Sequence, residues 1–298
     1  MQCKSVLIRL DPFRTGEIDV RESRVIEDHL ATCGPCRSVL DEIRRLAETA
    51  PALMGECPTS FTETLLRKLV DGYDHLVIGG VDLWVAFSSA GITAITLGAA
   101  SPDELTLDYE KRFGRDLRRA PLPEALKGEI AEALGGAGRG RPDVDLSRLP
   151  DFERRILQTL LTIPRGEVRT YAWVAREAGR PAAVRAVGNT CAKNPVPFVV
   201  PCHRVVPSAG GVGRYALGGE MKRSLLAREG VDLGRLERLK KRHARYVVSP
   251  SGDEYCFPTC RAVRDIEPAD LVLVRDDREA EARGLVPCDW CRPLARAA

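Results

Sequence analysis

Six of the ten cysteines in this 298-residue chain come in close pairs: Cys33 and Cys36 in CGPC, Cys256 and Cys260 in CFPTC, Cys288 and Cys291 in CDWC. Paired thiols near both ends limit what those ends can be, because a short segment with few apolar residues folds around a metal or a disulfide more readily than around a core of its own. The opening MQCKSVLIRLDPFRTGEI meets charged residues before any apolar run long enough for export, so a cytoplasmic location is expected and metal is favoured over disulfides. Cys256-x3-Cys260, 27 further residues and Cys288-x2-Cys291 supply four thiolates, the set a closed tetrahedral Zn2+ site requires.

Between the ends there is length for a sizeable core and about two domains. A composition 44% hydrophobic and 29% charged excludes a disordered or collagen-like chain. The most apolar stretch, 76–100, is broken by Asp82 and several glycines, so no membrane span is expected. The net charge of +3 conceals a bias: from Arg165 to Arg245, 17 Lys and Arg stand against 6 Asp and Glu. That run suits a polyanion partner, or it is a set of solvated helix faces; composition alone leaves both open.

Periodicity divides the chain further. VIEDHLATCGPCRSVLDEIRRLAE predicts two helices meeting at the Gly-Pro break, and FTETLLRKLVDGY an amphipathic helix in a linker over 51–75. HLVIGGVDLWVAFSSAGITAITLG predicts two or three antiparallel strands, followed by helices near 102–113 and 121–134 and a flexible connector, GGAGRGRP. FERRILQTLLTI predicts another helix. TYAWVAREAG and PAAVRAVGNTCAKN follow as two short helices turning at Gly179, with Val184, Val187 and Cys191 on one face and Arg185 elsewhere, which is helix-turn-helix spacing. MKRSLLAREG and the basic 231–245 read as helices, and RYVVSPSGDEYCF as a hairpin. In VVPCHRVV, read as an apolar strand entered through proline, Cys202 is either a buried inert thiol or one activated by His203.

NPVPFVVPCHRVV, together with IPRGEVRTY, AVRAVGN and KRSLLAREG in that order, resembles the O6-alkylguanine-DNA alkyltransferase family, with coverage from about 76 to 230. The resemblance implies an α+β multidomain chain in which an RNase H-like strand domain precedes a helical helix-turn-helix domain. It implies irreversible, single-turnover transfer of an alkyl group from O6-alkylguanine in double-stranded DNA to Cys202, with no organic cofactor. His203 would take the thiol proton, Glu229 orient the imidazole and Tyr171 protonate the leaving base. On the DNA side, Arg185 would fill the gap left by an everted base, the Val205 carbonyl recognise its exocyclic amine, Asn194 organise the turn and Tyr215 belong to the DNA-binding residues. A thiol buried in a protein cannot reach O6 of a stacked base, so eversion follows from the chemistry itself.

The C-terminal cysteines, with RYVVSPSGDEYCFPTC and GLVPCDWCRP around them, resemble the metal-binding domain of Ada-type proteins. There the first cysteine, here Cys256, is also a methyl acceptor from phosphotriesters. Cys3, His29, Cys33 and Cys36 resemble the short zinc finger of zinc-binding anti-sigma factors, which implies a second Zn2+ and a protein partner through residues 1–50. His29 and Cys33 lie four apart on one helical face. CGPC is also a thioredoxin-type motif, though no βαβ pattern surrounds it. The boundaries so read are 1–50, 51–75, 76–148, 149–232, 233–245 and 246–298. The rival functions are a damage-sensing DNA-binding regulator without catalysis and an anti-sigma-like interaction protein.

Overall fold

The computed structural model describes residues 3–53, 70–98, 101–135 and 143–293, which fall into two compact units divided after Leu66. Most of the linker helix expected in FTETLLRKLVDGY, and the connector GGAGRGRP beyond Gly135, lie outside the described residues. No helix among those described is long and apolar enough to cross a membrane.

The first unit is helical: α1 (Cys3–Leu7), α2 (Leu10–Thr15), α3 (Val20–Thr32) and α4 (Gly34–Leu53). Asp19 caps α3 by accepting the Glu22 amide at 2.9 Å. Ile26 and Leu30 on α3 and Cys36 and Leu40 on α4 close a small core over Val6 and Leu10. The helix-break-helix expected from the sequence is present, with Cys33 in extended geometry just past the end of α3.

The second unit begins with an antiparallel sheet, β1 (Val70–Ile78), β2 (Val81–Ser88) and β3 (Gly91–Leu97), to which β4 (Asp116–Arg119) adds in parallel beside β1. The first strand starts six residues ahead of the expected boundary at Leu76, and β4 was not expected at all; DLRR is short and charged, with no alternation to read. Tyr109 of α5 (Pro102–Phe113) packs with Ala86 and Ala94, while Leu126, Ile130 and Leu134 of α6 (Glu124–Gly135) pack with Leu83 and Val85. The Ile95 amide of the sheet donates to the Pro195 carbonyl of the following domain at 2.7 Å, and Leu83, Val85 and Ile92 share a buried cluster with Ile156 and Leu157.

Next come α7 (Asp151–Leu160), the two-residue strand β5 (Arg169–Thr170), α8 (Tyr171–Glu177) and α9 (Val184–Ala192). Thr170 caps α8 through the Trp173 amide, and Gly179, at φ +82°, ends it in a turn that a β-carbon would strain. The helix-turn-helix is therefore where its spacing placed it, though Val184 lies on the exposed side. A 3-10 turn at Cys202–Arg204 leads into β6 (Val205–Val206), which pairs in parallel with β5; α10 (Gly219–Arg228) and α11 (Leu233–Lys241) follow. Cys202 thus stands on a tight turn where a strand was expected. The last segment forms a sheet of β7 (Tyr246–Val248), β8 (Glu254–Cys256), β9 (Val272–Val274) and β10 (Val286–Pro287), with α12 (Asp277–Ala282). β7 and β8 make the expected hairpin.

Candidate active site and metal centres

The segment NPVPFVVP presents Cys202 on a rigid approach. Pro201, at φ −81° and ψ 61°, forms an inverse γ-turn closed by the Cys202 amide on the Val200 carbonyl at 2.8 Å. Phe198 is held at φ 71°, a conformation that costs a non-glycine residue energy and persists here because the ring is sealed in the core at 2% exposure. Gly213, at φ +75°, lies so close to Pro207 that a β-carbon would collide with the ring, which brings the following Tyr215 over the site.

Around the sulfur, Asn194 Nδ2 donates to Cys202 Sγ at 3.0 Å and to the Val200 carbonyl at 2.9 Å, while its Oδ1 accepts the Val196 amide at 3.1 Å. From the resemblance Asn194 was expected to organise the turn alone; in the structure it holds the turn and also donates a hydrogen bond to the thiol. Tyr215 Oη stands 3.9 Å from the sulfur. Burial pushes the Cys202 thiol up, against the pull of Asn194, Tyr215 and the Lys222 ammonium, so it rests protonated and needs a base.

A candidate for that base, His203, has its orientation built in. His203 is fully buried, and its Nε2 meets Glu229 Oε1 at 2.9 Å. Burial would raise the Glu229 carboxyl, but hydrogen bonds from His203 and Arg204 hold it at about 2, and Arg204 contributes three contacts of 2.8 to 3.1 Å. The carboxylate is anionic and can only accept, so His203 Nε2 carries the proton and Nδ1 is left as an acceptor. Nδ1 is buried without a hydrogen-bond partner, and burial lowers the imidazole's proton affinity so that it stays neutral at pH 7. Arg204 Nη1 also donates to the Ile163 carbonyl at 2.6 Å. Its place in the site was missed by the sequence reading.

Lys222 was missed as well. It is fully buried, lowered to about 8 by desolvation, and its Nζ donates to the Val205 carbonyl at 2.6 Å and the Arg214 carbonyl at 3.2 Å. One lone pair of the Val205 carbonyl, expected to read a base amine, is therefore already taken. Tyr171 opens α8, and burial, reinforced by the Cys191 and Cys202 thiols, pushes its phenol to about 12, which keeps it a proton donor. Arg185 stands exposed on α9.

Both cysteine clusters form. In the first unit Cys3, His29, Cys33 and Cys36 bring their ligand atoms within 4.8 Å of one another, with Cys3 and Cys33 sulfurs 3.8 Å apart, and His29 Nε2 is buried with no partner. In the second unit Cys256, Cys260, Cys288 and Cys291 do the same, all buried. Zinc–sulfur bonds of about 2.3 Å in a tetrahedron set sulfurs roughly 3.8 Å apart, so both donor sets fit the ion. Zn2+ bound there would lock the chain segments together and keep the thiols ionised.

The four-cysteine cluster is tied to the helix-turn-helix. Trp173 Nε1 of α8 donates to the Cys291 carbonyl at 3.1 Å, and Arg176 of α8 to the Arg292 and Pro293 carbonyls at 2.7 and 3.0 Å. Arg169, 2% exposed and paired with Glu167, lies over the rings of both Trp173 and Phe257. Glu167 in turn accepts from Trp290 Nε1 at 3.1 Å.

Fold and site define a helix-turn-helix domain built around a buried, hydrogen-bonded thiol with a neutral imidazole beside it. Residues 151–231 match the model of the 6-O-methylguanine DNA methyltransferase DNA-binding domain, and residues 3–37 that of a putative zinc-finger. A methylated-DNA–protein-cysteine methyltransferase of Methanothermobacter thermautotrophicus is 34% identical over 158 residues, 51% of this chain and 82% of that protein. The human protein of the same name is 49% identical over 28% of this chain and 41% of its own length; the Escherichia coli bifunctional transcriptional activator/DNA repair enzyme Ada is 35% identical over 49% and 41%. Among solved structures, Mycobacterium tuberculosis OGT in complex with DNA is 28% identical, covering 53% of this chain and 93% of that one, at a TM-score of 0.44. The chain belongs to the methylated-DNA–protein-cysteine methyltransferase family, DNA repair proteins that transfer an alkyl group to a cysteine of their own.

Proposed function

We propose that Cys202 is the acceptor for the alkyl group of O6-alkylguanine in double-stranded DNA, and that each molecule acts once. The observation that carries this is the alignment of Cys202, His203 and Glu229 on one turn and one helix end, with the carboxylate clamped by Arg204 and the imidazole Nδ1 open. In the reaction His203 Nδ1 takes the thiol proton, directly or through a water, and the sulfur attacks the alkyl carbon. The carbon–oxygen bond breaks with its electron pair going to the base, Tyr171 supplies a proton to ring nitrogen N3, and the proton taken by His203 restores the phenol as the base settles into its N1–H form. The products are guanine in DNA and a thioether on Cys202, a stable carbon–sulfur bond, so the thiol is not regenerated. Asn194 and Lys222 favour the thiolate as it forms. Arg185, exposed on the second helix of the helix-turn-helix, enters the base stack when the lesion turns out.

The clusters support two Zn2+ per chain. A second acceptor role for Cys256 is the reading the arrangement favours least, because that residue is 1% exposed and a methylated phosphate would reach it only if the cluster opened. A protein partner for residues 1–50 rests on the resemblance alone. The DNA substrate supports the cytoplasmic location expected from the sequence.

Cys202→Ala tests the assignment. The variant is expected to bind duplex containing labelled O6-methylguanine and to take up no label; transfer persisting at the wild-type rate would move the chemistry to another thiol. Arg185→Ala is expected to slow reaction with duplex far more than with free O6-methylguanine base, and equal losses would contradict a role in eversion.

A further inference from the structure

Outside the residues matched by the DNA-binding family model, a cavity of about 400 Å³ lies between α11 and the segment at 268–273. Four cations line it, Arg235, Arg238, Lys241 and Arg242, over a floor that includes Leu239 and Leu271, and among the described residues no acidic side chain is part of the lining. Arg235 is the built part of this site. It is 4% exposed, its guanidinium is pinned by the Val263 and Arg264 carbonyls at 3.0 and 2.9 Å, and its Nε is buried without a partner. Lys241 and Arg242 are exposed, and Arg238 shares its charge with Asp232 at 3.3 Å.

Four fixed or rim cations over an apolar floor suit a phosphodiester anion with its deoxyribose: the charges meet the phosphate, and the leucines meet the sugar. The same cations close the basic run from Arg165 to Arg245, in which 17 Lys and Arg face 6 Asp and Glu and which also contains the helix-turn-helix. We propose that this cavity and its exposed rim are a second DNA contact, holding two adjacent backbone phosphates away from the lesion and extending the footprint onto α11 and the C-terminal cysteine module. The proposal rests on the DNA-binding reading above and deepens it. The contact carries no sequence information, as befits a protein that must act at any lesion.

The test is the salt dependence of binding to undamaged duplex by the full zinc-loaded chain, wild type against K241A/R242A. Loss of two phosphate contacts is expected to lower the slope of log affinity against log salt by about 2. An unchanged slope overturns the proposal. Saturable binding of inorganic phosphate or a mononucleotide at this cavity, undisplaced by duplex, also overturns it, since the site would then serve free anions. Should the double variant melt abnormally, R242Q alone reads the same quantity with an expected fall of about 1. Labelling of Cys202 is scored separately: wild type that shows the slope difference yet leaves the lesion intact refutes alkyl transfer and leaves this contact standing.

Discussion

Asn194 and Lys222 show what single residues add to a motif. The sequence made Cys202 and His203 conspicuous, yet the atom touching the sulfur belongs to Asn194, eight positions earlier. A hydrogen bond to a charged group is worth about 1.5–3 kcal/mol, so Asn194→Ala is expected to raise the thiol pKa further and slow single-turnover transfer by roughly 10- to 100-fold. Titration of thiol reactivity against pH checks the first part and quench-flow the second; an unaltered thiol titration would remove Asn194 from the site. Lys222 left a trace in the sequence, since Lys222, Leu225, Leu226 and Glu229 share one helix face, but that spacing alone does not distinguish a buried lysine from one that reaches solvent. Arg204 left none, because nothing local distinguishes an arginine that clamps a carboxylate 25 residues away. Acid should act on this constellation in a definite order. His203, lowered by burial, remains a neutral base below the usual histidine range, so the transfer rate is expected to hold through pH 6.5 and fall only in stronger acid. Its protonation in the unfolded chain also makes stability decline as pH drops below about 6.5. Glu229, depressed to about 2, adds stability that is present above the unfolded carboxylate pKa of about 4.3 and is lost as pH falls toward 2. A rate that already halves near pH 7.5 would contradict the neutral imidazole.

Among elements, those carried by periodicity and punctuation were readable and those carried by contact were not. The helix-turn-helix announced itself through Gly179 and the apolar spacing of two short helices, and the β7–β8 hairpin through its turn residues. β4 escaped because four residues, three of them charged, show no alternation and acquire strand geometry only by lying beside β1. The docking of the C-terminal cysteines on α8 escaped too, since Trp173 and Cys291 are 118 positions apart and a tryptophan in TYAWVA reads simply as core. That docking makes a prediction. Trp173→Phe keeps the ring packing but leaves the buried Cys291 carbonyl short of a donor, which costs about 1–3 kcal/mol. A lower melting temperature is expected, together with faster loss of zinc from the C-terminal cluster to a chelator; unchanged zinc release would mean that α8 does not support the cluster.

For the molecule as a whole, composition and cysteine spacing foretold metal at both ends, and the donor geometry agrees. What they did not foretell is the unequal standing of the two sites. The first belongs to a unit with its own small core, whereas the second shares a core with the alkyltransferase segment, its four cysteines lying in the same buried cluster as Cys202 and Trp173. Zinc analysis is therefore expected to give two ions per chain. His29→Ala should remove one of them without changing the rate at which Cys202 reacts, and Cys260→Ser should remove the other and destabilise the catalytic domain. One ion in the wild type would eliminate a site.

Everything proposed for this protein turns on one sulfur, Cys202 Sγ, receiving the lesion's alkyl group. Full-length protein incubated with a small excess of duplex bearing isotopically labelled O6-methylguanine, digested and mapped by mass spectrometry, tests it directly. One label per chain is expected, on the peptide containing Cys202, with the DNA restored to guanine. Label on Cys191, Cys256 or any other cysteine in place of Cys202, or an intact lesion beside an unmodified Cys202, would contradict it.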